Sequence, residues 1–183
     1  MSAGGEETSL TFRRAGVPDV DAVVALVHSA YRGEVSRQGW TTEADLLDGQ
    51  RTDAAAVREV IERSDSQIIL ALRDDTLVGS CEIDRSESGD VAHFGMFAVR
   101  PGLQGHGIGG AVLAEAERTA RATWGARTMR MDVIRQRDEL IAWYRRRGYE
   151  PTGETEPFPY GDERFGIPRR DDLEFIVLEK SID

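Results

Sequence analysis

The chain has 183 residues, 40% of them apolar and 31% charged, and its 33 acidic against 23 basic side chains give a net charge of −10. A chain this long buries a proper core as one domain without disulfides or a structural metal, and its apolar runs are too short to span a bilayer. The acidic balance repels a phosphodiester backbone, so neither a membrane nor a nucleic acid is expected as a partner.

The opening MSAGGEETSL has no basic segment followed by an apolar one, so no secretory signal is expected, and residues 1–7 read as a disordered lead-in to a domain over residues 8–180. A first strand is predicted over Ser9 to Arg14. Pro18-Asp19 then opens a helix whose Val20, Val23, Val24, Val27 and Ala30 recur at helical spacing as far as Tyr31-Arg32-Gly33. In the polar and aromatic stretch Glu34 to Arg51 a short helix is predicted over Thr42 to Leu47, and Thr52-Asp53 caps a longer one through Ala56, Val57, Val60 and Ile61.

Ile68 to Leu72 and Leu77 to Ile83 flank Arg73-Asp74-Asp75-Thr76, a tight hairpin, and a second turn over Arg85 to Asp90 leads into the strand Val91 to Val99. Strands joined by such short turns form an antiparallel meander, because parallel neighbours need a long crossover. Beyond a glycine-rich segment, Ile108, Val112, Leu113, Ala116 and Ala120 mark a helix to Trp124. A strand over Thr128 to Ile134, a short helix over Glu139 to Arg146 stopped by Gly148, and a strand over Tyr149 to Gly153 follow. The prolines of Pro157-Phe158-Pro159-Tyr160-Gly161 enforce a loop before a last strand over Asp171 to Lys180. The expected class is α/β, with a mixed, mostly antiparallel central sheet flanked by helices.

Cys81 is the only cysteine, which excludes an intrachain disulfide and any C-x-x-C site and makes a cytoplasmic location the default. Its strand-like surroundings, Val78 to Ile83, mark it as a small buried hydrophobe. No metal is expected. Arg145-Arg146-Arg147 point in different directions on a helix and read as a solvated rim.

The segment Gln104-Gly105-His106-Gly107-Ile108-Gly109-Gly110 fits two phosphate-binding patterns. From Gly105 it is G-x-G-x-x-G with Asp132 downstream, the fingerprint of an NAD(P)-dependent oxidoreductase. From Gln104 it is Q-x-x-G-x-G, a coenzyme A phosphate loop. A dinucleotide glycine comes directly at the end of a strand in a parallel βαβ unit, whereas here Arg100-Pro101-Gly102-Leu103-Gln104 intervenes, a meander precedes, and Asp132 falls inside a strand. Glycines at a helix start leave backbone amides open to an anion, which suits a pyrophosphate without a basic side chain.

The run from Gly95 through Val99-Arg100-Pro101 to Gln104-Gly105-His106-Gly107-Ile108-Gly109 resembles the acetyl-coenzyme A motif of the GNAT N-acetyltransferase superfamily. Ala142-Trp143-Tyr144-Arg145-Arg146-Arg147-Gly148-Tyr149 resembles that family's second signature, and the order of elements agrees over roughly residues 8 to 180. The resemblance implies an acetyl-CoA-dependent N-acetyltransferase that passes acetyl directly to a primary amine, on a small molecule or a peptide. It places the pyrophosphate on the amides of Gly105, His106, Gly107, Ile108, Gly109 and Gly110, with Gln104 fixing the turn. The pantetheine arm is then expected between the fourth and fifth strands of the order above, on the main chain of Phe97, Ala98 and Val99.

Tyr144 corresponds to the tyrosine that approaches the coenzyme sulfur, and a phenol is suited to protonate a departing thiolate. Ala92-His93-Phe94-Gly95 stands where many relatives carry a glutamate, which leaves Glu82 and His93 as candidate bases. Arg137 stands where relatives often carry an asparagine, so that residue's usual coenzyme contact is not expected. Trp40, Glu43, Phe158 and Tyr160, on the two long loops, are the candidate lining of an acceptor pocket. A non-catalytic acyl-CoA sensor is the alternative reading, and a homodimer stays open.

Overall fold

The meander expected between Ile68 and Val99 becomes three consecutive antiparallel strands in a computed structural model that describes residues 9–183; the lead-in predicted over residues 1–7 lies outside the described residues. In chain order the elements are β1 (Thr11–Arg14), α1 (Val20–Tyr31), α2 (Gly33–Ser36), β2 (Leu47–Asp48), α3 (Ala54–Glu62), β3 (Ser66–Arg73), β4 (Thr76–Arg85) and β5 (Val91–Val99). Then come α4 (Ile108–Trp124), β6 (Thr128–Ile134), α5 (Asp138–Arg145), β7 (Glu150–Pro157), β8 (Ile167–Pro168) and β9 (Glu174–Ser181).

Seven strands form one sheet in the order β1-β3-β4-β5-β6-β9-β7, antiparallel except between β5 and β6, and β2 pairs with β8 in a separate ribbon. The β3–β4 hairpin turns on Asp74 and Asp75, both at positive φ (49° and 61°), the backbone that matches the twist of the flanking strands. Helices cover both faces. Ile68 and Leu70 point toward α1 and α3, with Val23, Val27 and Val57, while Ile69, Ala71, Cys81 and Ile83 point toward α4 and α5, with Val112, Leu113 and Tyr144. Two covered faces explain why β3 reads as a continuous apolar run. Cys81 is fully buried and burial pushes its thiol up, so it packs as the expected hydrophobe. Among the described residues no helix is long and apolar enough to cross a membrane.

Two local expectations need correction. Thr42 to Leu47 is a single turn and not a helix: Leu46 and Leu47 both donate to the Glu43 carbonyl, and the chain then extends so that Leu47 and Asp48 pair with Pro168 and Ile167. The Glu43 side chain is drawn inward by arginines from distant segments, and Thr42 spends its hydroxyl on the Ala44 amide and on Ser36. The strand predicted over Tyr149 to Gly153 runs over Glu150–Pro157, interrupted between Pro151 and Thr155 by a register shift at Gly153, whose φ is +90°.

Candidate active site

Past Val99 the chain makes a short helical turn over Pro101–Leu103 and enters α4 through Gly105 and Gly107, whose φ values of 84° and 79° suit glycine. Gly107 is the N-cap and no side chain caps the helix; its first internal bond runs from the Ala111 amide to the Gly107 carbonyl, 3.1 Å. The amides before Ala111 therefore lie outside the helical ladder, at the positive end of a 17-residue helix. A Cβ on Gly109 would lie 3.2 Å from the Phe97 ring and 3.3 Å from Trp143, and one on Gly110 would lie 3.6 Å from the Arg147 guanidinium. Arg147 in turn stacks 3.5 Å over the centre of the Trp143 ring. These groups, with Val99, Gln104 and Tyr31, surround a cavity of about 320 Å³.

A second cavity, of about 370 Å³, opens where the sheet parts. β5 and β6 pair only from Val91–His93 to Thr128–Arg130 and then diverge. At that point β5 bulges: Met96 takes a φ of 44°, and two residues of β5, Met96 and Phe97, oppose the single Cys81 of β4. The extra residue reverses the alternation. Ala92 and Phe94 face α4 and α5 before the bulge, whereas after it Phe97 and Val99 take that face and Met96 and Ala98 turn toward α1. The two cavities share Tyr31, Phe97, Arg137 and Leu140, so they meet at the bulge. On this edge the Phe97 carbonyl accepts from the Tyr31 hydroxyl, and the Val99 carbonyl accepts from Gln104 Nε2 at 3.2 Å. Gln104 Oε1 takes the Trp40 amide at 3.0 Å.

Titratable groups enter the second cavity from both faces of the sheet. Tyr144, on α5, is 3% exposed and packs edge-on against Phe94, Trp143 and Tyr149; burial holds its phenol well above the ordinary tyrosine value. Glu82 lies on the opposite face from Cys81 and Ile83, across the ladder from Gly95, where a Cβ would meet nothing. Burial first, then Asp84, raises its carboxyl above the usual range. His93 is raised mainly by its Asp84 bond, Nδ1 to Oδ1 at 3.1 Å. Burial alone would raise Glu43, but Arg137, Arg51 and Arg32 outweigh it and hold it below the carboxylate norm.

The acetyltransferase (GNAT) family model matches residues 26–149. The chain belongs to the GNAT acetyltransferase family. No curated protein matches the sequence. Among solved structures it is similar to a GNAT-family protein from Desulfovibrio desulfuricans, 19% identical with a TM-score of 0.68, covering 96% of this chain and 100% of that one. It is also similar to an N-acetyltransferase from Staphylococcus aureus, 15% identical, TM-score 0.69, covering 96% of this chain and 99% of that one. A third is the PaiA N-acetyltransferase of Thermoplasma acidophilum in complex with coenzyme A, 17% identical, TM-score 0.63, covering 94% of this chain and 99% of that one. GNAT enzymes take acetyl from acetyl-CoA and act on amine acceptors.

In this GNAT chain Phe97, Val99, Gln104, Gly105, Gly107, Gly109 and Gly110 line the first cavity together. Ala98 turns its side chain into the α1 core, Ile108 at the start of α4 is buried, and His106 is exposed, its Nδ1 3.1 Å from the Leu103 and Gln104 carbonyls; none of these three lines the first cavity. Tyr144, Glu82, His93, Glu43 and Phe158 converge on the second cavity. Two expected acceptor residues do not. Trp40, 45% exposed, lines the first cavity, and Tyr160, 46% exposed, lines neither: its hydroxyl donates to the Arg170 carbonyl at 3.0 Å and accepts the Leu173 amide at 2.9 Å, pinning its own loop.

The arginine run also needs correction. Arg145 is solvated, but Arg146 borders the first cavity and Arg147 is half-buried over Trp143, where the end of α5 meets the glycine turn. Sequence reasoning missed Arg51, which precedes a cap with no pattern around it. Tyr31, at the end of α1, reads from the sequence only as the start of an aromatic and acidic stretch suited to substrate recognition.

Proposed function

We propose that this protein transfers the acetyl group of acetyl-CoA to a primary amine, and that the first cavity takes the coenzyme and the second the acceptor. The observation that carries the reading is the junction at the β5 bulge, where a cavity with an uncapped helix start meets one that holds a buried phenol, Tyr144, and a partly buried carboxylate, Glu82. The residues fit the coenzyme. The amides before Ala111 suit a pyrophosphate, Arg147 adds a cation beside Gly110, and the edge of β5 that leaves β6 can pair with pantetheine amides as a strand would. No metal is part of this reading.

When bound, acetyl-CoA supplies a thioester: a bond forms between the acceptor nitrogen and the acetyl carbon, the carbon–sulfur bond breaks, and sulfur leaves with the electron pair. The acceptor arrives as an ammonium and loses two protons in becoming an amide. Glu82, whose raised pKa makes it a better base than an ordinary carboxylate, takes them from its face of the sheet and passes them to solvent. Tyr144 gives one proton to the sulfur from the other face and regains it from water, so one proton is released overall. His93, half-exposed and tied to Asp84, serves as the relay to solvent. A cytoplasmic location belongs to the same reading.

Thiol release from acetyl-CoA over a panel of amines, with Tyr144→Phe beside the wild type, tests this. Turnover with at least one amine and a loss of about 10²–10³ in kcat at unchanged coenzyme affinity are expected for a removed general acid. A protein that binds coenzyme A and turns over no amine is a sensor, and the reading fails.

A further inference from the structure

This inference rests on the acetyl-transfer reading and names the acceptor. Three guanidinia, from Arg32, Arg51 and Arg137, stand on the wall of the second cavity around one carboxylate, Glu43. Glu43 binds two of them, Arg32 at 2.6 Å and Arg137 at 3.0 Å, with all three side chains 7% exposed. The Nε atoms of Arg32 and Arg137 are buried without a hydrogen-bond partner. Arg51 lines the second cavity, makes no ion pair or hydrogen bond among the described residues, and lies 5.3 Å from the centre of the ring of Tyr31, a residue that both cavities share. One carboxylate leaves this cluster with an excess of positive charge, and an uncompensated cation beside a partly dry cavity favours an anionic ligand. A guanidinium binds a carboxylate through two parallel bonds.

The same cavity carries acidic side chains, Glu82 and Asp132, with Asp84 tied to His93. Arg51 is close enough to favour the ionised forms of both Glu43 and Glu82, so a short molecule reaches from Arg51 to Glu82. Leu47, Ile134, Phe158 and Phe175 add an apolar wall to this cavity. A polyamine would set a second cation against Arg51, and the N-terminus of a peptide brings no carboxylate next to its amine.

We propose that the acceptor is a free amino acid with an apolar side chain, its carboxylate held by Arg51 and its ammonium directed to Glu82. The probes are the proteinogenic amino acids, each assayed with acetyl-CoA beside its carboxamide and its decarboxylated amine. A site built around a carboxylate rejects analogues that lack it, so kcat/KM is expected to fall by at least ~100-fold for both analogues. Arg51→Gln is expected to raise KM for the amino acid to a similar degree and abolish the preference, with KM for acetyl-CoA held; a modest loss of melting temperature accompanies it, because Arg51 lies over Tyr31 and helps keep Glu43 ionised. Arg51→Lys is expected to recover part of the preference. Equal turnover of acids and analogues, turnover confined to amines without an anion, or an unchanged preference in Arg51→Gln overturns this inference alone. Absence of thiol release with every amine overturns the acetyl-transfer reading and this inference with it.

Discussion

Gly109 lies directly beneath Trp143: a Cβ at this position would sit 3.3 Å from the indole and 3.2 Å from Phe97, both closer than ordinary contact. Gly109→Ala therefore pushes Trp143, and with it the Arg147 stacked on it, by a few tenths of an ångström. Alanine gains about 1 kcal/mol of helix propensity over glycine, which offsets the crowding, so the melting temperature is expected to move little. Coenzyme A affinity, measured by calorimetric titration, is expected to drop by about tenfold, or ~1.4 kcal/mol. Unchanged affinity would mean that Gly109 serves packing alone.

Glu82 should reveal itself in stability as well as rate. Its folded pKa is raised, so the native state holds the proton more tightly than the unfolded chain, and its contribution to stability is present below the unfolded value and lost as pH rises through the folded one. Glu82→Gln removes that loss. Its melting temperature relative to wild type is expected to climb as pH rises from the unfolded carboxyl value through the folded one, while kcat/KM loses its acidic limb and most of its magnitude. A gap between the two melting curves that does not change with pH would count against a raised Glu82.

Glu43 has the opposite linkage. Held low by Arg137, Arg51 and Arg32 against the effect of burial, it stabilises the fold above its unfolded pKa and loses that contribution as pH falls through its folded value. Glu43→Gln strands Arg32 and Arg137 without a counter-ion, and breaking a buried pair from one side costs about 3–5 kcal/mol. A fall of roughly 6–20 °C in melting temperature at neutral pH is expected for a chain of this size. A shift of a degree or two would make the cluster ornamental and remove the reason for its burial.

The elements that announced themselves in the sequence are those set by local chemistry. The period of β3 and β4, the Asp74-Asp75 turn and the glycine entry to α4 all depend on residues within a few positions of one another. The bulge at Met96 has no such signal: a methionine at positive φ is held there by β4 on one side and by the parting from β6 on the other. Glu43 misled for the same reason. Its neighbours suggest a short helix, but its conformation is decided by Arg32 and Arg137, and the second of these lies in a segment far along the chain. Tyr144 was legible because a motif surrounds it; Arg51, which faces the same cavity, was not, because a lone arginine before a cap is common on any surface.

Arg147 allows the coenzyme's orientation to be tested phosphate by phosphate. Its guanidinium lies over Trp143 and 3.6 Å from where a Gly110 side chain would begin, beside the open amides of α4, so the charge it is expected to meet is the pyrophosphate. Burial first, and then Arg146, lowers its pKa, a sign that its present surroundings leave the cation undercompensated. Arg147→Met keeps an aliphatic cover on Trp143 while removing the charge and the bond from the guanidinium to the Trp143 carbonyl at 3.1 Å. Binding of coenzyme A and of dephospho-coenzyme A, which lacks the 3′-phosphate, is expected to weaken by the same factor of about ten, ~1.4 kcal/mol, and the factor should shrink at high salt, where exposed charges are screened. Pantetheine, with no phosphate, should bind wild type and variant alike. A loss seen with coenzyme A but not with its dephospho form would move Arg147 to the 3′-phosphate, and a loss shared by pantetheine would reduce it to a prop for Trp143.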